Sequence, residues 1–155
     1  RLRMQVSDKP QARSSVTTFK VLERFESGNK DNGFSLIECK LYSGRTHQIR
    51  VHMKYIKHWC VGDPTYGTPG KADNLGLHRQ FLHSYFIEFT HPKTQQTLNF
   101  LAPFPEDLRE VMHKLRDRRI GLTDAGREVL KQYCEQGRGV AEMLGDTAVE
   151  SFSHL

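Results

Sequence analysis

Two β-patterned runs open the chain. Val16 to Phe25 is rich in β-branched and aromatic residues and predicts a strand. The polar run 26–33, with Gly28, Asn29, Asp31, Asn32 and Gly33, predicts a turn. Phe34 to Tyr42 then alternates, with Ile37, Cys39 and Leu41 on one face and Glu38 and Lys40 on the other, so the two runs form a hairpin. Ser43-Gly44 ends the second strand, and Thr46 is placed to cap a helix, its hydroxyl taking a backbone N–H of the first turn. Ile49, Met53 and Ile56 follow at i, i+4 and i+7, a stripe that would face a core. Arg50, Lys54 and Lys57 repeat that spacing one residue round. One short helix thus carries an apolar face and a cationic row.

Gly62-Asp63-Pro64, Gly67 and Pro69-Gly70 break all periodicity and predict a long irregular loop to about Gly76, of the kind that is usually functional or mobile. Phe81 to Thr90 and Thr97 to Leu101 read as paired strands joined by the turn at 91–96. After Pro103 and Pro105, the spacing of Leu108, Val111, Met112 and Leu115 predicts a helix, with Glu106 and Asp107 favouring its positive end. Beyond Arg116 the composition shifts to the charged Asp117-Arg118-Arg119. Thr123 is placed to cap a further helix carrying Ala125, Val129, Leu130 and Tyr133, and periodicity fades from Gly137 on. The expected organisation is a body over residues 1–116 and a helical, partly disordered extension over 117–155. The fold class is α+β, a mixed, largely antiparallel sheet with flanking helices.

Composition narrows the function classes. No apolar run approaches the roughly 20 residues a membrane-spanning helix requires, the longest being broken by Pro103. Cys39, Cys60 and Cys134 lie far apart with no CxxC pair, the usage of reduced thiols in a cytoplasmic-type compartment. The opening at Arg1, with no initiator Met, suggests a fragment. The net charge of +5 admits an anionic partner, and its distribution says more. Lys40, Arg45, Arg50, Lys54 and Lys57 fall within residues 39–62, which hold no acid at all. A solvated basic helix face would explain such a run by itself, but His47, His52 and His58 share it and point toward a site.

Within that segment, Leu41-Tyr-Ser-Gly-Arg-Thr-His-Gln-Ile-Arg-Val-His52, followed by Gly62-Asp-Pro-Thr-Tyr-Gly67, resembles the arginine motif of the RluA-type pseudouridine synthases, which act on ribosomal and transfer RNA. Asp8-Lys-Pro-Gln-Ala12 and Thr18-Phe-Lys-Val-Leu22 resemble the family's preceding strand. Leu77-His-Arg-Gln-Phe-Leu-His83 and Phe89-Thr-His-Pro92 resemble its closing hairpin. The likeness runs from about residue 5 to Pro105. It implies a pseudouridine synthase-like fold and conversion of uridine to pseudouridine in RNA. It also implies no cofactor and no metal, RNA as partner, no membrane, a cytoplasmic location and a monomer at full length.

The resemblance maps the arginine that partners the catalytic aspartate onto Arg50. An adjacent guanidinium keeps a buried carboxylate ionised and fixes its orientation bidentately. Arg45, at the turn before the helix, is placed either for a phosphate or for holding the turn. His47 and Gln48 either donate to the site loop or RNA, or support the site from behind. His52 reads as a packed, hydrogen-bonded histidine. Lys54 and Lys57 are phosphate contacts if this face meets RNA, and solvated lysines otherwise. Asp63 and Tyr66 are read as shaping the loop beside the site.

The family's nucleophile lies in an HRLD-x-x-TSG block, and no such string occurs among these residues. The resemblance therefore covers the C-terminal half of the catalytic domain, and this stretch alone is expected to be inactive. A rival reading keeps the half-domain as a binding module that holds RNA without modifying it. Metal binding is disfavoured. His47 and His52 point about 140° apart on a helix, at ~100° per residue, and His58 and Cys60 have no second pair. The half-domain reading also predicts unpaired strand edges, exposed apolar faces and poor solubility.

Overall fold

A computed structural model describes residues 3–135. The element order is β1 (Thr17–Phe25), β2 (Phe34–Leu41), α1 (Gln48–Tyr55), β3 (Phe86–Thr90), β4 (Thr97–Leu101), α2 (Glu106–Lys114), a 3-10 turn (Arg116–Arg118), β5 (Arg119–Leu122) and α3 (Asp124–Glu135). The class is α+β. All observed pairing is antiparallel, in a three-stranded sheet of order β2-β1-β5 and a separate β3-β4 hairpin. Among the described residues no helix is long and apolar enough to cross a membrane.

The first hairpin forms as the alternation requires, with Thr17 opposite Leu41 and Phe25 opposite Phe34. Its turn is closed by Asp31, whose Oδ1 accepts the N–H groups of Gly28 and Gly33. The register slips between Val21 and Glu23, and this bulge turns two consecutive side chains, Leu22 and Glu23, into the interior. Leu22 enters the core. Glu23 is met by Arg119 Nε at 2.7 Å, yet burial still outweighs the arginine and holds its carboxyl above the usual range. Phe34 and Leu36 of β2 pack on the core. Glu38, on that same face, accepts the Tyr85 hydroxyl. The Ile37, Cys39 and Leu41 face is only partly covered.

The core is built where β1 meets α2 and α3. Leu108, Val111, Met112 and Leu115 are all buried against Leu22, Phe25, Val129 and Leu130, as the helical spacing requires. The long loop contributes Leu75 and Leu77.

Thr123 caps α3, its hydroxyl accepting the Gly126 N–H at 3.0 Å. This helix does not stand apart from the body. Residues 119–122, read from the sequence as part of an extension, form β5 and pair with β1, Glu23 lying opposite Leu122. The Thr123 N–H then donates to the Leu22 carbonyl at 2.9 Å. A strand of four residues carries too little pattern to stand out, and its partner lies almost a hundred residues upstream. The stretch from Gly137 on lies outside the described residues.

The β3-β4 hairpin is shorter than the pattern suggested, its first strand starting at Phe86. Its register sets Ile87 opposite Phe100 and Phe89 opposite Leu98, so these four share one face. Ile87 and Phe100 are each 55% exposed, and Phe89 and Phe100 stack at 6.0 Å in the open. Such a face promotes self-association. The chain expressed alone is expected to sediment largely as aggregate, and Ile87→Thr with Phe100→Thr is expected to raise its monomer fraction severalfold by light scattering. A parent chain that stays monomeric at millimolar concentration would contradict this.

Candidate active site

The site is assembled where α1 begins. Thr46 does not cap this helix. The N-cap is His47, held in the left-handed region at φ 54°, with no side-chain cap. The start is fixed instead by Gln48, a buried amide that uses its full bonding capacity. Its Oε1 accepts from Ser43 Oγ (2.8 Å) and the Arg45 N–H (3.0 Å), and its Nε2 donates to the Val16 carbonyl (3.0 Å) and Thr17 Oγ1 (2.9 Å). Gln48 thus ties the turn at 43–45 to the start of β1, and no polar capacity is left for RNA. His52 joins the same seam, with Thr17 Oγ1 at 2.8 Å and Ser15 Oγ at 3.2 Å.

The buried face of α1 keeps only part of the expected stripe. Gln48, Arg50, Val51 and Met53 are buried, whereas Ile56 is exposed. Arg50 is only 8% exposed, and its charge is answered by Asp63, 6% exposed. Arg50 Nε and Nη2 donate to Asp63 Oδ2 and Oδ1, both at 2.8 Å. Asp63 Oδ1 also accepts the N–H groups of Thr65 (2.9 Å) and Tyr66 (3.0 Å). The resemblance implied a partner for Arg50 in another segment, with Asp63 shaping the loop. In the structure Asp63 accepts two backbone N–H groups of the loop and is also Arg50's direct ion-pair partner. One signal was available in the sequence: Asp63 is the first carboxylate after five cations and an acid-free run of 24 residues, 39–62.

Tyr66, 1% exposed, completes the group. Its ring lies 5.0 Å from the Arg50 guanidinium carbon, a cation–π contact in a dry setting. Its hydroxyl is shared with His47 Nδ1 (2.8 Å) and receives the Met4 N–H (3.0 Å). His47 therefore turns toward the site loop. Gly62 makes the loop possible. It sits at φ 75°, and a Cβ there would lie 2.3 Å from the Arg79 carbonyl oxygen. Arg45 and Lys57 are exposed and Lys54 partly so, and none of them forms a salt bridge among the described residues.

Electrostatics sort the groups by chemistry. Burial pushes the Asp63 carboxyl up, but the hydrogen bonds from Arg50, Tyr66 and Thr65 outweigh it and hold it below the usual carboxylate range. Asp63 is therefore an ionised anchor. Cys60, beside this pair, is pushed up to about 12 by burial and by Asp63, and Cys39 to about 11 by burial and by Glu38. At neutral pH both are held as thiols rather than thiolates. Among the described residues no group of three or more His, Cys, Asp or Glu is placed to hold a metal.

A depressed carboxyl pKa has a defined consequence for stability. Asp63 contributes its full stabilisation above the unfolded value, about 3.9, and loses it as pH falls through the lower folded value. Urea midpoints measured from pH 7 to pH 2.5 should fall less steeply in Asp63→Asn than in the parent, although the variant starts lower. An unchanged acid slope would show that Asp63 is not ionised and paired.

The model of the RNA pseudouridylate synthase family matches residues 2–55, a range that includes β1 and β2 and ends at the last residue of α1. Over 104 residues the chain is 47% identical to an uncharacterized RNA pseudouridine synthase, YlyB, of Bacillus subtilis, covering 67% of this chain and 31% of that protein. The chain belongs to the RNA pseudouridylate synthase family. A ribosomal large subunit pseudouridine synthase D of Xanthomonas campestris is 41% identical over 127 residues, covering 76% of this chain and 36% of that one. The chain thus spans about a third of the length of these relatives. Human RNA pseudouridylate synthase domain containing 1 shares the fold, with a TM-score of 0.60 at 23% identity, over 83% of this chain and 50% of that structure. The family match ends before Asp63 and Tyr66, and it is the fold that joins those two residues to Arg50.

Proposed function

We propose that this chain supplies the arginine half of a site that isomerises uridine to pseudouridine in structured ribosomal or transfer RNA, in the cytoplasm and without metal or cofactor. The observation that carries the reading is the buried Arg50, clamped by Asp63 and Tyr66 at the family's arginine position. The reaction breaks the C1′–N1 bond of uridine, turns the base and forms C1′–C5, the C5 hydrogen leaving as a proton while N1 gains one. It requires a base withdrawn from its stack and a carboxylate nucleophile kept ionised in a partly dry pocket. The clamp uses Arg50 Nε and Nη2. Its Nη1 makes no hydrogen bond to any described residue and is the edge offered to that nucleophile. A guanidinium fixed on one side by its own carboxylate meets a second one without the cost of ordering a free side chain.

In this reading the aspartate nucleophile comes from a segment outside these residues, and the chain alone is inactive. Arg45, Lys54 and Lys57, which form no salt bridges within the described residues, are the phosphate contacts, and His47 holds the loop. The rival reading is an RNA-binding module of the same fold that performs no chemistry. The codons preceding Arg1 separate them. An in-frame HRLD-x-x-TSG block there supports the enzyme, and a stop codon with no such block in any frame supports the binding module.

A further inference from the structure

Two exposed tyrosines have no structural task. Tyr66 is buried and Tyr85 half-buried and bonded to Glu38, whereas Tyr42 is 62% and Tyr55 69% exposed. Among the described residues neither exposed side chain makes a hydrogen bond, and the only ring contact is Lys40 Nζ, 5.3 Å from the Tyr42 ring centroid. Both lie in the acid-free segment, one just before the turn into α1 and the other at its last residue. The carboxylates that bound the segment are both committed, Glu38 to Tyr85 and Asp63 to Arg50. The cations Lys40, Arg45, Lys54 and Lys57 are therefore not neutralised by their neighbours in sequence.

The C-terminal end of α1 sharpens the case. Lys57 sits in the left-handed region at φ 66°, and the chain reverses there, its N–H bonded to the Lys54 carbonyl and that of His58 to the Met53 carbonyl. Lysines at a helix C-terminus are explained by the helix dipole alone. An aromatic ring held in water between them is not. Exposed aromatic faces interleaved with unpaired cations are what an unpaired nucleic-acid strand recognises: bases stack on rings, and phosphates meet lysines.

We infer that Tyr42 and Tyr55 are base-stacking residues for unpaired nucleotides flanking the modified position, with Lys54 and Lys57 on the adjoining phosphates. This rests on the RNA reading above and adds to it a strand state and two residues. Double-stranded RNA keeps its bases stacked on one another and offers these rings nothing.

The test is fluorescence anisotropy of the monomeric fraction of the chain with a labelled 12-nucleotide single-stranded RNA and with the matching duplex. Tyr42→Ala and Tyr55→Ala are each expected to weaken single-strand binding about fivefold or more, with thermal midpoints unchanged because both rings lie in solvent. Tyr→Phe at either position should bind like the parent, since stacking needs the ring and not the hydroxyl, and duplex binding should not respond. Lys54→Ala with Lys57→Ala should flatten the log–log salt slope by about 0.7 per lysine. Parent-like binding by both alanine variants overturns this inference and leaves the RNA reading standing. Loss in the phenylalanine variants overturns stacking in favour of hydroxyl hydrogen bonds. A parent chain that binds neither RNA overturns both.

Discussion

Arg50→Ala is expected to cost about 3–5 kcal/mol of folding free energy, because it strands a buried carboxylate. Asp63 would keep the N–H groups of Thr65 and Tyr66 but lose the guanidinium that offsets its desolvation. Against a typical domain stability of about 5–15 kcal/mol, that loss takes the chain close to unfolding at room temperature. Arg50→Lys keeps the charge but lacks the planar two-pronged donor set, so its loss should be intermediate. Combining Arg50→Ala with Asp63→Asn should cost less than the sum of the two single changes, since the second removes the charge the first leaves unpaired. Urea unfolding of the parent, the three single variants and the double variant checks this. Additive effects, or a loss under about 1 kcal/mol for Arg50→Ala, would mean a solvated pair of the kind that contributes little.

The second large effect is expected at a glycine far from the site. A Cβ on Gly126 would lie 2.1 Å from the Leu22 carbonyl oxygen, a backbone atom with no rotamer to yield. Alanine is the better helix former at an ordinary position, by about 0.5–1 kcal/mol. Here Gly126→Ala must push α3 off β1, and Val129 and Leu130 would leave the core with it. The expected loss is about 3 kcal/mol or more, above the usual range for overpacking because backbone is displaced. Hydrogen exchange should show β5 and α3 losing protection while the β1-β2 hairpin keeps it. A stabilised Gly126→Ala chain would mean that α3 is an appendage after all.

That contrast shows which parts of the molecule are legible in sequence. The β1-β2 hairpin, the β3-β4 turn and α2 follow from local pattern, and α2 buries the four residues its spacing selects. Elements whose form depends on distant partners are not legible in this way. β5 is a strand because β1 offers it an edge, and nothing in Arg-Ile-Gly-Leu says so. The bulge at Leu22 overrides strict alternation and brings Glu23 inside. In α1 the periodicity identified the helix and placed Met53 inside, but Ile56 is exposed and the site buries Gln48 and Arg50 as well. Buried polar residues on a short helix are costly unless bonded; here Gln48 uses all of its bonding capacity and Arg50 is held by two bonds to Asp63. Arg50 stood out by its motif and Asp63 as a loop residue. That the two pair, thirteen residues apart with an aperiodic loop folding back between them, became visible only in the fold.

If Arg50 serves a uridine-isomerising site completed by another segment, that segment should restore the chemistry. The upstream portion of the Bacillus subtilis relative can be fused to this chain and tritium release followed from RNA labelled at uridine C5. The fusion should release tritium, the chain alone should release none, and Arg50→Lys in the fusion should lower the rate by two orders of magnitude or more while leaving it folded. A folded fusion that releases tritium equally well with lysine at position 50 would show that Arg50 plays no such part.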